Sequence, residues 1–293
     1  MLNSEKQPLV SVCIPTYNGE KYLQQALDSV KNQTYQNIEV IISDDSSKDQ
    51  TLKICEQFKK EVPFPVYIFS HTPAGIGANW NHCIEKANGP YIKLFFQDDI
   101  LEKNCVETMM KHLLKNNLHI VVSKRSIIDE NSQPIVTGEW YEKYADLQKL
   151  ANIHVNQFKV FSKRELKKLD FAIYSRENII GEPCVSLFTK HLFKKAGIFD
   201  HQLKQALDYE YWLRILAVFD IGIIEEKLVR FRFHKDQTTN TNAKNHVSEG
   251  SAINRILFEK LLFYIDRKHA KYYIKNKYPL ILKIVSLRYK LFP

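Results

Sequence analysis

The sequence predicts an α/β protein with a mostly parallel central sheet flanked by helices and a helical appendage at its C-terminal end. Three observations predict it. Val10–Ile14 and Ile38–Ile42 are short apolar runs, the second rich in β-branched residues, as buried parallel strands are. Between them Tyr22, Leu23, Ala26, Leu27 and Val30 recur at helical spacing, from Glu20 to about Gln33. Each run then opens into a polar loop, Thr16–Glu20 and Asp44–Asp49. Such a βαβ unit delivers both loops to one edge of the sheet, outside the carboxyl ends of the strands, where open α/β sheets hold ligands.

The remaining elements follow in order. Pro15 ends the first strand, and Asn18 is placed to cap the first helix. A second helix follows Asp49, with Leu52, Ile54, Cys55 and Phe58 near one face, and Pro63 and Pro65 close it. Val66–Phe69 is a third strand. The loop His71–Gly77 contains G-x-G but lacks the third glycine and the downstream acid of a dinucleotide fingerprint, so it reads as a tight turn. Ala78–Ala87 is a helix stopped by Asn88-Gly89. A fourth strand, Tyr91–Phe96, runs directly into Gln97-Asp98-Asp99. Lys103–Lys115 is a helix with Val106, Met109, Met110, Leu113 and Leu114 inward, and Ile120–Val122 is a fifth strand. Ser126–Lys168 has no clear period and yields no assignment. Beyond it lies a short strand Ile221–Ile224. From Ser248 the chain is helical again, with Ile253, Ile256, Leu257, Leu261 and Tyr264 on one face.

Composition excludes several classes. A hydrophobic fraction of 44% over 293 residues suits a globular protein with a real core. The start MLNSEKQP has no apolar stretch of a secretion signal. No apolar run approaches the roughly 18–20 residues of a spanning helix. Cys13, Cys55, Cys83, Cys105 and Cys184 are odd in number and contain no C-x-x-C, so they read as buried thiols in a reducing compartment, without structural zinc. Net charge is +9, and Arg255–Lys290 alone carries ten Lys or Arg against two acidic residues, a net of +8. The partner of that tail is therefore expected to be anionic.

Pro15, Tyr17, Asn18, Tyr22, Leu23, Ser29, Gln33, Thr34, Asp44, Asp45, Ser47 and Asp49 reproduce P-x-Y-N-x-x-x-Y-L, S-x-x-x-Q-T and D-D-x-S-x-D at fixed spacing. The stretch resembles the nucleotide-binding start of family 2 glycosyltransferases, inverting enzymes with the GT-A fold, a Rossmann-like sheet flanked by helices. The resemblance covers roughly Leu9–Gln237. It implies a transferase domain over 1–245, with a nucleotide-binding half at about 8–125 and an acceptor and catalytic half at about 126–245. A basic amphipathic helical extension follows over 246–293.

The resemblance also implies roles. Tyr17 flanks the nucleobase and Asp45, with Asp44 behind it, bonds the uracil edge. Pro15, Thr16, Asn18 and Glu20 lie near the same pocket. Asn81 fits a G-x-x-x-x-x-N run, although Trp80 stands where many relatives carry Arg. Asp98 and Asp99 take the place of the family's acidic motif, Asp98 on the ribose and Asp99 on a divalent metal (Mn²⁺ or Mg²⁺), with exchange of roles open. Carboxylates suit these hard cations, which offset charge on a leaving diphosphate. Leu207-Asp208 and Trp212-x-Arg214 match the region that supplies the general base, which maps to Asp208, while Leu207 replaces the usual Glu. Inversion needs such a base to take the acceptor's proton. The alternatives are that Asp208 merely caps a helix, with Glu210 as fallback base on another face. Trp212 and Arg214 read as packing and an ion pair. His234, in Arg230–His234, is a candidate for the metal or diphosphate, although a histidine at a strand end is more often structural.

The expected activity is transfer of a sugar from a nucleotide-diphosphate-sugar, UDP-linked, to a hydroxyl of a surface-glycan acceptor of lipopolysaccharide, capsule or O-antigen type. That acceptor is a glycan or a lipid-linked glycan. The absence of Q-x-x-R-W and of membrane spans implies one sugar per encounter. A sugar-phosphate nucleotidyltransferase is the alternative enzyme, but Pro15–Glu20 lacks its glycine-rich basic signature. A nucleic-acid-binding protein is disfavoured because the charge sits in the tail and no binding module is present. A degenerate scaffold is disfavoured by Asp45, Asp98, Asp99 and Asp208. The expected location is cytoplasmic. The tail (Tyr278–Phe292 above all) is read either as a peripheral anchor on the anionic inner face of the membrane or as helix packed on the domain with a solvated basic side.

Overall fold

The structure is a computed structural model and describes residues 7–169, 177–235, 237 and 249–278. Its centre is a nine-stranded sheet. In chain order the strands are β1 (Val10–Thr16), β2 (Ile38–Asp44), β3 (Val66–Ser70), β4 (Tyr91–Leu94), β5 (Ile100–Leu101), β6 (Ile120–Ile128), β7 (Phe158–Phe161), β8 (Ser186–Thr189) and β9 (Ile221–Arg232). They lie in the order β3-β2-β1-β4-β8-β6-β9-β5, with β7 also on β9. β3, β2, β1 and β4 are parallel, β8 is antiparallel to both β4 and β6, and β6 is parallel to β9. The sheet is thus mostly parallel, as the sequence predicts. β1 and β2 are buried along their whole length because helices cover both faces.

The helices are α1 (Leu23–Lys31), α2 (Thr51–Glu61), α3 (Ile76–Lys86), α4 (Cys105–Lys115), α5 (Glu139–Tyr144), α6 (Leu147–Leu150), α7 (Lys190–Ala196), α8 (Leu207–Val218), α9 (Gly250–Lys260) and α10 (Arg267–Lys277). The S-x-x-x-Q-T motif ties α1 to the segment after β4. Ser29 Oγ accepts from Leu101 N, Gln33 Nε2 donates to Glu102 O at 2.8 Å, and Gln33 Oε1 accepts from Val106 N at 3.0 Å. These bonds fix where the chain leaves Asp98-Asp99.

Three expectations are corrected. Asn18 does not cap α1. It has φ of 45°, and its Oδ1 accepts from Lys48 N at 2.8 Å while its N–H donates to Ser47 Oγ, so it stitches the two polar loops together. Asn88-Gly89 is not a left-handed helix stop. A Cβ on Gly89 would sit 2.8 Å from Leu9 O and from Ser11 Oγ, and the buried Glu39 carboxylate collects both N–H groups of this turn. β6 and β9 run to 9 and 12 residues rather than a few. Their charged stretches continue the ladder because the charges are paired: Lys124 Nζ lies 2.9 Å from both Glu225 and Asp146, and Arg125 meets Glu182 at 2.8 Å. Ser126–Lys168 holds the end of β6, α5, α6, β7 and a 3₁₀ turn at Lys163–Lys168.

The five cysteines are free and buried. No helix among the described residues is long and apolar enough to cross a membrane. The apolar face of α9 joins the core: Ile253, Ile256, Leu257 and Leu261 are buried against α8. Residues 279–293, which hold Lys283, Arg288 and Lys290 of the basic tail, lie outside the described residues. Because Leu257 is fully buried, Leu257→Ala is expected to cost about 2–5 kcal/mol, the range for truncating a core leucine. Denaturant unfolding reads this directly, and a loss within about 0.5 kcal/mol would mean that α9 is not part of the core.

Candidate active site

The carboxyl ends of β1, β2, β4 and β9 open on one cleft of about 1580 Å³. Its first wall is the loop after β1. Thr16 Oγ1 donates to Asp44 Oδ1 at 2.9 Å, and Asp44 also accepts from Ser47 N and Ser47 Oγ. Asp44 is therefore spent on building the loop, whereas Asp45 faces the cleft beside Pro15, Thr16, Tyr17, Asn79 and Trp80. Burial raises the Asp45 carboxyl, the neighbouring His71 pulls it down and Asp44 pushes it up. Tyr17 is 55% exposed and free to lie along a planar base. Its backbone is pinned by Gln97, whose side chain accepts from Tyr17 N at 2.9 Å and donates to Tyr17 O at 3.0 Å.

Asp98 follows β4 and faces the cleft. His234, just past β9, places Nε2 at 3.1 Å from Asp98 Oδ2. Arg232, fully buried, holds this junction: Nε donates to Asp98 O at 2.7 Å, and the other nitrogens reach Asp129 O, Ser132 Oγ and Gln25 Oε1. Asp99 is placed differently from Asp98. It is 1% exposed, does not line the cleft, and accepts from Arg232 N at 2.9 Å through Oδ1. Burial, reinforced by Asp98, raises its carboxyl well above the usual range. The cleft-facing pair is Asp98 and His234.

Asp208 lies in the first turn of α8 and lines the same cleft. It does not occupy the N-cap position, which is Ala206. Asn178 Nδ2 donates to Asp208 Oδ2 at 2.9 Å and Tyr209 N donates to Oδ1 at 2.7 Å. Burial pushes the carboxyl up to about 7, the Tyr209 N–H opposes, and the charge of Glu182 adds. Glu210 is buried and engaged by Arg214 at 2.7 Å, and Trp212 donates to Gly181 O.

Two more expected contacts fall elsewhere. Asn81 turns away from the cleft and clasps the backbone of Phe199, with bonds of 2.8 and 3.0 Å. Glu20 accepts from Gln50 N and braces the start of α2. The structure also adds residues that the sequence did not single out for the site. Trp80 takes the cleft-facing phase of α3, stacked on Phe96 at 5.0 Å. Trp140 stacks on Phe233 at 4.5 Å beside Tyr144, and Lys268, His269, Tyr272 and Tyr273 of α10 line the cleft too. A helical phase error of one residue explains Asn81, and no local pattern foretells that α5 and α10 fold over the same space.

The family model described as Glycosyl transferase family 2 matches residues 11–177, more than half of the chain. The chain belongs to that family. An uncharacterized glycosyltransferase of Rickettsia typhi is 31% identical over 263 residues, spanning 89% of this chain and 75% of that protein. A chondroitin synthase of Pasteurella multocida is 28% identical over 255 residues, 85% of this chain but 23% of that protein. Among solved structures, Staphylococcus aureus TarS 1–349 in complex with UDP superposes with a TM-score of 0.58 at 19% identity, covering 94% of this chain and 76% of that one. The same fragment in complex with UDP-GlcNAc gives 0.59 at 17% identity, covering 94% and 78%. The glycosyltransferase thus has the mixed α/β sheet of that fold.

Proposed function

We propose that this glycosyltransferase inverts configuration as it moves a sugar from a UDP-linked donor to a hydroxyl of a glycan acceptor, with Asp208 as general base. One observation carries the reading: a carboxylate poised near 7 shares a cleft with the Asp98–His234 pair and with the Asp45 loop. A general base works best when its pKa lies near the working pH. Asn178 and Tyr209 N orient the Asp208 oxygens, and Asp208 takes the acceptor's proton as the new bond forms.

A divalent ion, Mn²⁺ or Mg²⁺, fits the cleft. Asp98 supplies a hard oxygen and His234 an imidazole, 3.1 Å apart on the cleft wall. Among the described residues no third His, Cys, Asp or Glu completes a protein cage, which suits an ion shared with diphosphate oxygens. When bound, such an ion offsets charge on the leaving diphosphate.

The acceptor reading rests on aromatics and on volume. Trp140, Phe233 and Tyr144 present flat apolar faces of the kind that stack on the C–H face of a pyranose. The cleft exceeds the roughly 300–1,000 Å³ of a site for one small ligand, so it has room for a donor and an acceptor of more than one ring. The test is UDP release from a panel of UDP-sugars with Mn²⁺, alone and with oligosaccharides. At least one UDP-sugar is expected to turn over, faster with acceptor. Trp140→Ala is expected to raise the acceptor KM about tenfold, an effect of ~1.4 kcal/mol, with donor KM unchanged. An acceptor KM untouched by Trp140→Ala would remove the aromatic wall from the account, and no release from any UDP-sugar would remove the donor.

A further inference from the structure

Asp45 has a second neighbour with no part in the chemistry above. Its Oδ1 lies 3.6 Å from Nε2 of His71, in the loop just after β3. That imidazole is held at both nitrogens. Nδ1 is 2.9 Å from the carbonyl oxygen of Thr72, which can only accept. Nε2 is 3.2 Å from Asn79 Oδ1. The orientation of Asn79 is fixed because its Nδ2 donates to Thr16 O at 3.1 Å. Both ring nitrogens therefore face acceptors, and the bonds are complete only when both carry protons, which makes the ring a cation.

The surroundings agree. His82 on α3 lies against the ring, 4.7 Å between centroids, and its Nδ1 shares a hydrogen bond of 2.7 Å with Ser43 Oγ. Burial lowers His82, and His71 and Lys86 lower it further against a smaller push from Glu85, which favours the neutral ring at His82. On the β2 side the charged groups are Asp44, already bonded to Thr16 and Ser47, and Asp45.

We infer that His71 is a positioning residue: as an imidazolium it keeps Asp45 ionised and aimed into the cleft, so that Asp45 selects a nucleobase bearing an imide N–H. This deepens the proposed function and rests on it. A carboxylate only accepts hydrogen bonds. Uracil offers N3–H to it, whereas cytosine turns a lone pair toward it.

The experiment is calorimetric titration of the full chain with UDP and with CDP, at fixed Mn²⁺ and one fixed pH. The ratio of the two affinities isolates the base, because the diphosphate and the metal are common to both. The unmodified enzyme is expected to prefer UDP by tenfold or more. His71→Gln, checked by circular dichroism, is expected to bring the ratio close to one, and Asp45→Asn likewise. A ratio in His71→Gln that equals the parent's overturns the inference. Failure of both nucleotides to bind the parent overturns the donor reading and the inference together.

Discussion

Asp208→Asn is expected to lower turnover by about two to four orders of magnitude, the usual scale for loss of a general base, while donor affinity stays within about twofold. The substitution keeps the shape of the side chain and removes its capacity to take a proton. The wild-type rate should rise with pH along a limb near 7, because burial holds the carboxyl up to about 7 and only its ionised form acts. The variant should lack that limb. Stability should move the other way. The folded state keeps a proton that the unfolded chain releases near the ordinary 3.8, so this group's contribution falls as pH rises from about 4 to about 7 and is flat above. An amide does not titrate, so the melting temperature of Asp208→Asn at pH 8 should equal or exceed the parent's. Collapse of donor affinity with turnover preserved would make Asp208 a binding residue instead.

Asp98→Ala should abolish metal-dependent donor binding and lower turnover by about a thousandfold or more, ~4 kcal/mol of barrier. Asp99→Asn should leave both within about tenfold. The contrast follows from burial and charge. Asp98 faces the cleft beside His234, whereas Asp99 is sealed beneath it, where burial raises its carboxyl, and accepts from Arg232 N. An amide oxygen reproduces that bond. Titration of Mn²⁺-dependent UDP binding in the two variants separates the cases, and the opposite pattern would restore the metal to Asp99.

Much of the fold was legible because its signals are local. The runs Val10–Ile14 and Ile38–Ile42 and the helical spacing between them needed no tertiary knowledge. The errors have tertiary causes. Lys124 and Glu225 looked like strand ends until each supplied the other's countercharge. Lys93 interrupts an apolar run yet is fully buried, its ammonium spent on the carbonyls of Leu94, Cys184 and Ser186. Asp98 and Asp99 are adjacent and chemically identical, so only the turn after β4 decides which one reaches the cleft. Trp80 and Asn81 differ by one step of a helix, about 100° of rotation. The apolar face of α9 was plain in the sequence, but its partner α8 was not, and with it went the wall that α10 contributes.

The central claim is inversion driven by Asp208, and the anomeric configuration of the first product tests it most directly. With an α-linked UDP-sugar and water as acceptor, proton NMR can record the freed sugar before it mutarotates. The account predicts that the β anomer forms first and that Asp208→Asn forms almost none. First formation of the α anomer, or equal release by the variant, would contradict it.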